Sequence, residues 1–241
     1  APMTEFPPRR DPACQDDAVT HATGGQLRSL TTPRAAALAG VLFALLFGTV
    51  LVVLRTSLPP GAELGSQWVD GTSGRLKVAM VLMPFSGIAF LWFIGVLRDG
   101  LGRLEDRFFT TVFIGSGLLF LAMVFAGTAV GAGLLASKQF VAEAGTRTEV
   151  AAFGQGLLVT LTNTYALRMA AVFMMSLATI WLRTGLMARW LVVTTYLVAV
   201  SVLVAGDISP WMTLTFPAWV LVVSLLMLRR AAASTLLPDR G

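Results

Sequence analysis

The chain has 241 residues, 56% of them hydrophobic and only 13% charged, with a mean hydropathy of +0.76, which excludes an ordinary soluble domain. The net charge of +5 comes without a Lys/Arg run interleaved with aromatics on a polar face, so nucleic acid is not an expected partner. The single cysteine, Cys14, and the single histidine, His21, fall in a polar leader, which removes an intrachain disulfide, a thiolate metal cluster and a haem held by two intramembrane histidines.

Residues 1–32 hold Pro7, Pro8, Pro12, Asp16, Asp17, Gly24 and Gly25 without apolar period, and read as a disordered or peripheral arm. The first apolar run starts only at Ala35, so it is expected to be a retained span and not a signal peptide. That run, 35–54, has 20 uncharged residues between Arg34 and Arg55, and at about 1.5 Å per residue it matches a hydrocarbon core of roughly 30 Å. Thr56 to Gly74 has loop composition. A second span, 76–97, contains Pro84, which is expected to kink it. The connector RDGLGRLEDR, Arg98 to Arg107, is too short for a domain and makes an antiparallel hairpin with the third span, 108–136.

In that third span Gly127 and Gly131 continue a small-residue register from Ala122 and Ala126, the composition of a helix-packing face where lipid supplies no hydrophobic drive. Ser137 to Gly156 reads as a mixed polar loop, helical in part at Glu149 to Phe153. Spans at 160–182, 190–205 and 211–228 follow, with Pro217 expected to bend the last, and a short cytoplasmic tail over 231–241. The fold class is thus an all-α membrane protein, one transmembrane domain of about six helices over 33–230 with short loops. With the N terminus inside, twelve basic residues, among them Arg34, Arg98, Arg183, Arg189, Arg229 and Arg230, fall on the cytoplasmic side against Arg55, Arg75, Lys77, Lys138 and Arg147 opposite. The positive-inside rule therefore places both termini in the cytoplasm.

The segment TLTNTYALRMAAVFMMSLATIWLR, Thr160 to Arg183, is the one expected span with a charge well inside it. Arg168 lies 15 residues before Arg183, about 22 Å from the cytoplasmic boundary. A charge there costs on the order of 2.5–3.5 kcal/mol unless paired or wetted. Two readings stand beside each other: Arg168 snorkels and holds the bundle, or it lines an outer-leaflet polar pocket with Asn163, Thr164 and Tyr165, with Asp207 as its acidic partner. The connector residues Arg98, Asp99, Arg103, Glu105, Asp106 and Arg107 are a candidate docking turn for a cytoplasmic partner, or simply a solvated turn.

No Walker loop, HExxH, intramembrane Asp/Glu relay or Ser–His pair occurs, so no catalytic residue, metal or cofactor is expected. The run GIAFLWFIGVLRDGLGRLEDRFFTTVFIGSGLLFLAMVFAG, with NTYALRMAAVFMMSLATIWLRTG, resembles a family of small multi-pass membrane proteins of high-GC Gram-positive bacteria. The resemblance implies an architecture and a bacterial inner membrane, and carries over no activity, ligand or functional residue. The leading expectation is a non-enzymatic accessory or stabilising subunit whose partners are the bilayer and other membrane subunits. A small transport or lipid- or anion-binding protein centred on Arg168 is the alternative.

Overall fold

The computed structural model describes residues 34–54, 56, 67–101, 107–137, 144–185, 187–206 and 210–233; the arm 1–32 and most of the expected tail lie outside them. These residues are almost entirely helical, and no strand occurs among them. The helices are α1 (Arg34–Leu54), α2 (Gln67–Leu101), α3 (Arg107–Ser137), α4 (Ala144–Val159), α5 (Leu167–Thr184), α6 (Arg189–Ala205) and α7 (Thr215–Ala233). A π-helical segment, Thr160–Ala166, joins α4 to α5 without a break, and a 3-10 turn, Pro210–Leu214, leads into α7. Five helices are long and apolar enough to cross a membrane: α1, α2, α3, the α4–π–α5 rod and α7; α6 is shorter, at 17 residues.

Three expectations are corrected. Gln67 to Gly74, taken as loop, is the first part of α2, because isolated Gly71 and Gly74 weaken a helix without ending one that a long apolar run propagates. Ala144 to Gly156, taken mostly as loop, is helical because it packs: a Cβ on Gly154 would collide with Leu134 of α3, so the two helices meet backbone to side chain. Pro217 falls in the first turn of α7, where its missing N–H removes no helical hydrogen bond. By contrast, Pro84 lies inside a continuous α2.

The contacts fix the directions. Gly131 packs on Met80, Gly87 on Phe125 and Leu121, and Gly117 on Ile94, so α2 and α3 run antiparallel as the short connector requires. Gly127 meets Thr162 and Gly117 meets Phe173, which sets α3 antiparallel to the rod. Neighbours continue to alternate through α6 and α7: the hydroxyls of Thr179 and Tyr196 are 2.6 Å apart, and Trp219 Nε1 donates to Thr195 Oγ1 at 3.1 Å. As a result the arginines at the ends of α1, α2, α5, α6 and α7 gather at one end of the bundle. There the Arg183 guanidinium lies 4.4 Å from the ring centre of Phe109, and Arg230 Nη1 donates to Met187 Sδ at 3.1 Å.

The core is a phenylalanine cluster to which α1, α2, α3, α5 and α7 all contribute. The Phe90 ring centre lies 4.6 Å from Phe43, 5.3 Å from Phe120, 5.4 Å from Phe173 and 5.9 Å from Phe216. Aromatic pairs add about 0.5–1.5 kcal/mol each beyond area burial, and lipid-immersed helices rely on such packing because the solvent is itself apolar. The opposite faces expose Leu38, Leu42, Phe85, Trp92 and Leu197, side chains that suit contact with acyl chains.

Candidate functional site

The site grows out of the Thr160–Ala166 sequence, TLTNTYA. Three β-branched threonines and an asparagine are poor helix formers, and Thr hydroxyls compete for backbone carbonyls. Thr162 Oγ1 donates to the Leu158 carbonyl at 2.8 Å, where the α ladder gives way to the wider π ladder. Single π turns inside α-helices recur at functional sites, and this one changes which side chains share a face.

Those side chains come in pairs four residues apart: Leu158 and Val159, Thr162 and Asn163, Ala166 and Leu167. In a pure α-helix, at about 100° per residue, each step of four drifts by about 40°. A π turn of about 4.4 residues drifts the other way, so the mixed segment keeps the three pairs nearly in line. They form one wall of an open cleft of about 610 Å³, a volume that includes the open space at its mouth. The other walls are Phe47, Leu51 and Leu54 of α1, Met83 of α2, Phe120 and Val124 of α3, and Thr213 and Phe216 from the turn before α7 and from α7 itself. A second cavity of about 330 Å³, reaching Gly127 and Gly131, adjoins the first, and Leu54, Met83, Leu158 and Thr162 line both.

Helix rise gives the crevice a direction. Phe47, Phe120 and Phe216 lie 13 or 14 residues from the arginines at the basic end, about 20 Å away, while Leu54, Asn163 and Thr213 lie about 25–30 Å away. The floor is therefore the aromatic core near mid-bundle. Thr162 and Asn163 lie in the outer part of the crevice with buried Thr213 lower, Thr128 lines the second cavity, and Leu158 and Val159 stand outermost; among the described residues no titratable side chain lines either cavity.

The sequence-derived pocket is only partly assembled. Asn163 lines the cleft; Thr164, half-exposed Tyr165 and half-buried Arg168 follow the flanking stripe and line neither cavity. Arg168 is partnered within the protein. Asp207 lies outside the described residues, while its neighbour Gly206 is buried against Leu167 and near the Asn163 carbonyl, where a Cβ would come within 3.0 Å and 3.8 Å respectively. The expected packing face also divides. Gly127 and Gly131 turn inward against Thr162 and Leu158, whereas Ala122 and Ala126 are exposed, because they stand about 100° around the helix from the buried stripe of Phe120, Val124, Gly127, Gly131 and Leu134. In the docking turn Arg98 is exposed, Asp99 lies in the last turn of α2 and Arg107 opens α3; Arg103, Glu105 and Asp106 lie outside the described residues.

Thr162, Thr213 and the α1 residues were not singled out from the sequence. The alternating Thr160, Thr162, Thr164 pattern beside Asn163 was the available signal for Thr162; no local signal marks Thr213 or Leu54, which reach the site by long-range packing. No protein family, curated protein or solved structure matches this chain.

Proposed function

We propose that this protein is a membrane-embedded binding protein that takes the apolar chain of a membrane-dissolved amphiphile into the crevice beside the π segment. The chain crosses a bacterial plasma membrane six times, with both termini in the cytoplasm, and binds rather than catalyses. The observation that supports the reading is the layering of the crevice: an aromatic floor, with the polar groups Thr213, Asn163 and Thr162 about 5–10 Å further from the basic end. An outer-leaflet lipid has the same polarity, head outward and tail inward. Compared with the alternative drawn from sequence, the binding centre moves from Arg168 to Asn163.

A diazirine placed along a hexadecyl chain tests it, with the protein in lipid nanodiscs. Crosslinks concentrated in 47–54, 158–167 and 213–216, and removed by excess unlabelled chain, are expected. Uniform labelling of all lipid-facing helices would defeat the reading.

A second reading, an accessory subunit, draws on the outer face of α3. Ala122, Ala126, Ala129, Gly133 and Ala136 are all exposed and follow a 4-3-4-3 spacing, a smooth stripe of the kind against which another transmembrane helix packs closely. Ala126→Leu should then lower the yield of a co-purified partner without lowering the melting temperature of the isolated protein; an unchanged partner yield would count against it.

A further inference from the structure

We infer that Phe120 is the stop of the crevice: the free end of an alkyl chain meets its ring, and the ring sets how deep, and so how long, a chain the site takes. This rests on the binding reading above and concerns the tail end of the ligand alone. The aromatic core is built in two storeys. Phe47, Phe120 and Phe216, about 20 Å from the basic end, line the cleft. Phe43, Phe90 and Phe173 stand 8 to 10 residues from Arg34, Arg98 and Arg183, about 12–15 Å from that end; they are buried and line neither cavity. Phe120 ties the upper storey together and separates it from the lower. Its ring centre lies 5.6 Å from Phe47, 4.8 Å from Phe216 and 5.3 Å from Phe90.

At this level the lining consists of the three upper rings and Met83, so a hydrocarbon end meets apolar side chains and leaves no polar one unpaired. To pass further, a chain would have to push the Phe120 ring out of contact with three others, and a close-packed aromatic cluster yields only at a cost. Depth then gives the class of chain. Leu158 and Val159, the outermost lining pair, lie 25 and 24 residues from Arg183, roughly 36 Å from the basic end, so about 16 Å separates them from the floor. One leaflet's share of a 30 Å hydrocarbon layer is about 15 Å. The crevice therefore matches an alkyl chain of the length that one leaflet holds, and Phe120 keeps a longer one from running on toward Phe90.

The test uses the full chain in lipid nanodiscs with two probes, hexadecanol and the longer eicosanol, each carrying a diazirine beside its methyl end. In the unaltered protein both are expected to label Phe47, Phe120 or Phe216, with labelling removed by excess unlabelled hexadecanol. Phe120→Ala leaves a cavity above Phe90, and the eicosanol label should move down one storey, to Phe43, Phe90 or Phe173. Leu119→Ala, on the exposed side of α3, should leave it at the floor. Phe120→Leu opens a smaller gap in the same direction and serves if the alanine variant does not fold. Labels already on the lower rings in the unaltered protein, or unmoved in both Phe120 variants, would overturn the stop and leave the crevice reading standing. Labelling spread evenly over the lipid-facing helices would remove both.

Discussion

Thr162 Oγ1 lies 2.8 Å from the carbonyl oxygen of Leu158, and the same type of hydroxyl-to-carbonyl bond joins Thr49 to Leu45 in α1 at 2.7 Å. The two bonds have the same chemistry and different surroundings. In α1 the helix is regular, whereas at Leu158 the ladder is changing from α to π, and the hydroxyl supports a carbonyl whose backbone partner is shifting. Thr162→Val is expected to cost about 0.5–1.5 kcal/mol and Thr49→Val less than about 0.5 kcal/mol. Thermal unfolding of both variants in the same detergent checks this; equal losses would show that the π segment does not depend on the Thr162 bond.

The short helix α6 is tied at both neighbours by side-chain hydrogen bonds, Tyr196 to Thr179 and Thr195 to Trp219. A double-mutant cycle on Trp219→Phe and Thr195→Val should return a coupling of about 0.6 kcal/mol, with about 1.7 kcal/mol as the upper end for such bonds in membranes. A coupling of zero would mean that packing alone seats α6 against α7.

Gly154 and Gly133 make a paired test of packing. Leu134 occupies the space that a side chain at Gly154 would need, while nothing stands within 4 Å of a Cβ at Gly133. Gly154→Leu should destabilise by roughly 1–3 kcal/mol. Gly133→Ala should be neutral or gain up to about 1 kcal/mol from helix propensity. If both variants melted with the unaltered protein, α4 would not be packed on α3.

Ser86 and Ser224 are almost wholly buried, and neither hydroxyl has a hydrogen-bond partner. An orphaned buried hydroxyl carries a desolvation cost of about 1–3 kcal/mol, so Ser86→Ala and Ser224→Ala are expected to leave the melting temperature unchanged or raise it. Ser224 faces Gly40, where a Cβ would strike its oxygen, so the alanine also preserves the closest approach of α1 and α7. A clear fall in melting temperature for either variant would reveal a partner.

The apolar segments were legible because each is a long, largely apolar run with a basic residue at one end at least, a signal set mainly by bilayer thickness. Five of the described helices fall where those runs predict, and the α2–α3 hairpin follows from its short connector. The start of the rod was not legible: AGTRTEV reads as loop, and its helix is one that packs on α3, where Gly154 makes a seat for Leu134 and Ala151 is buried. The candidate site was half legible. An asparagine among threonines inside an apolar span stands out, but which face it takes depends on a π register that no hydropathy pattern encodes. Arg168 attracted attention by its charge, and the crevice lies on the adjacent stripe. The small-residue register divides because Ala126 and Gly127, neighbours in sequence, stand about 100° apart on the helix, so Gly127 and Gly131 pack inward while Ala122 and Ala126 face out.

Helix length sets a height. The apolar part of the rod, Glu149–Thr184, runs 36 residues, about 54 Å, and α2 runs 35 residues, about 52 Å. Even at a lean of 40°, the steep limit for membrane helices, a 30 Å hydrocarbon layer takes up only about 39 Å of either. Roughly the last 13–15 Å of each must stand clear of the oil. Because arginines anchor the opposite end, the surplus emerges at the end of the bundle toward which the crevice opens, so on the proposed reading a lipid head there would rest against protein walls rising into the water, within reach of soluble molecules that never touch the bilayer.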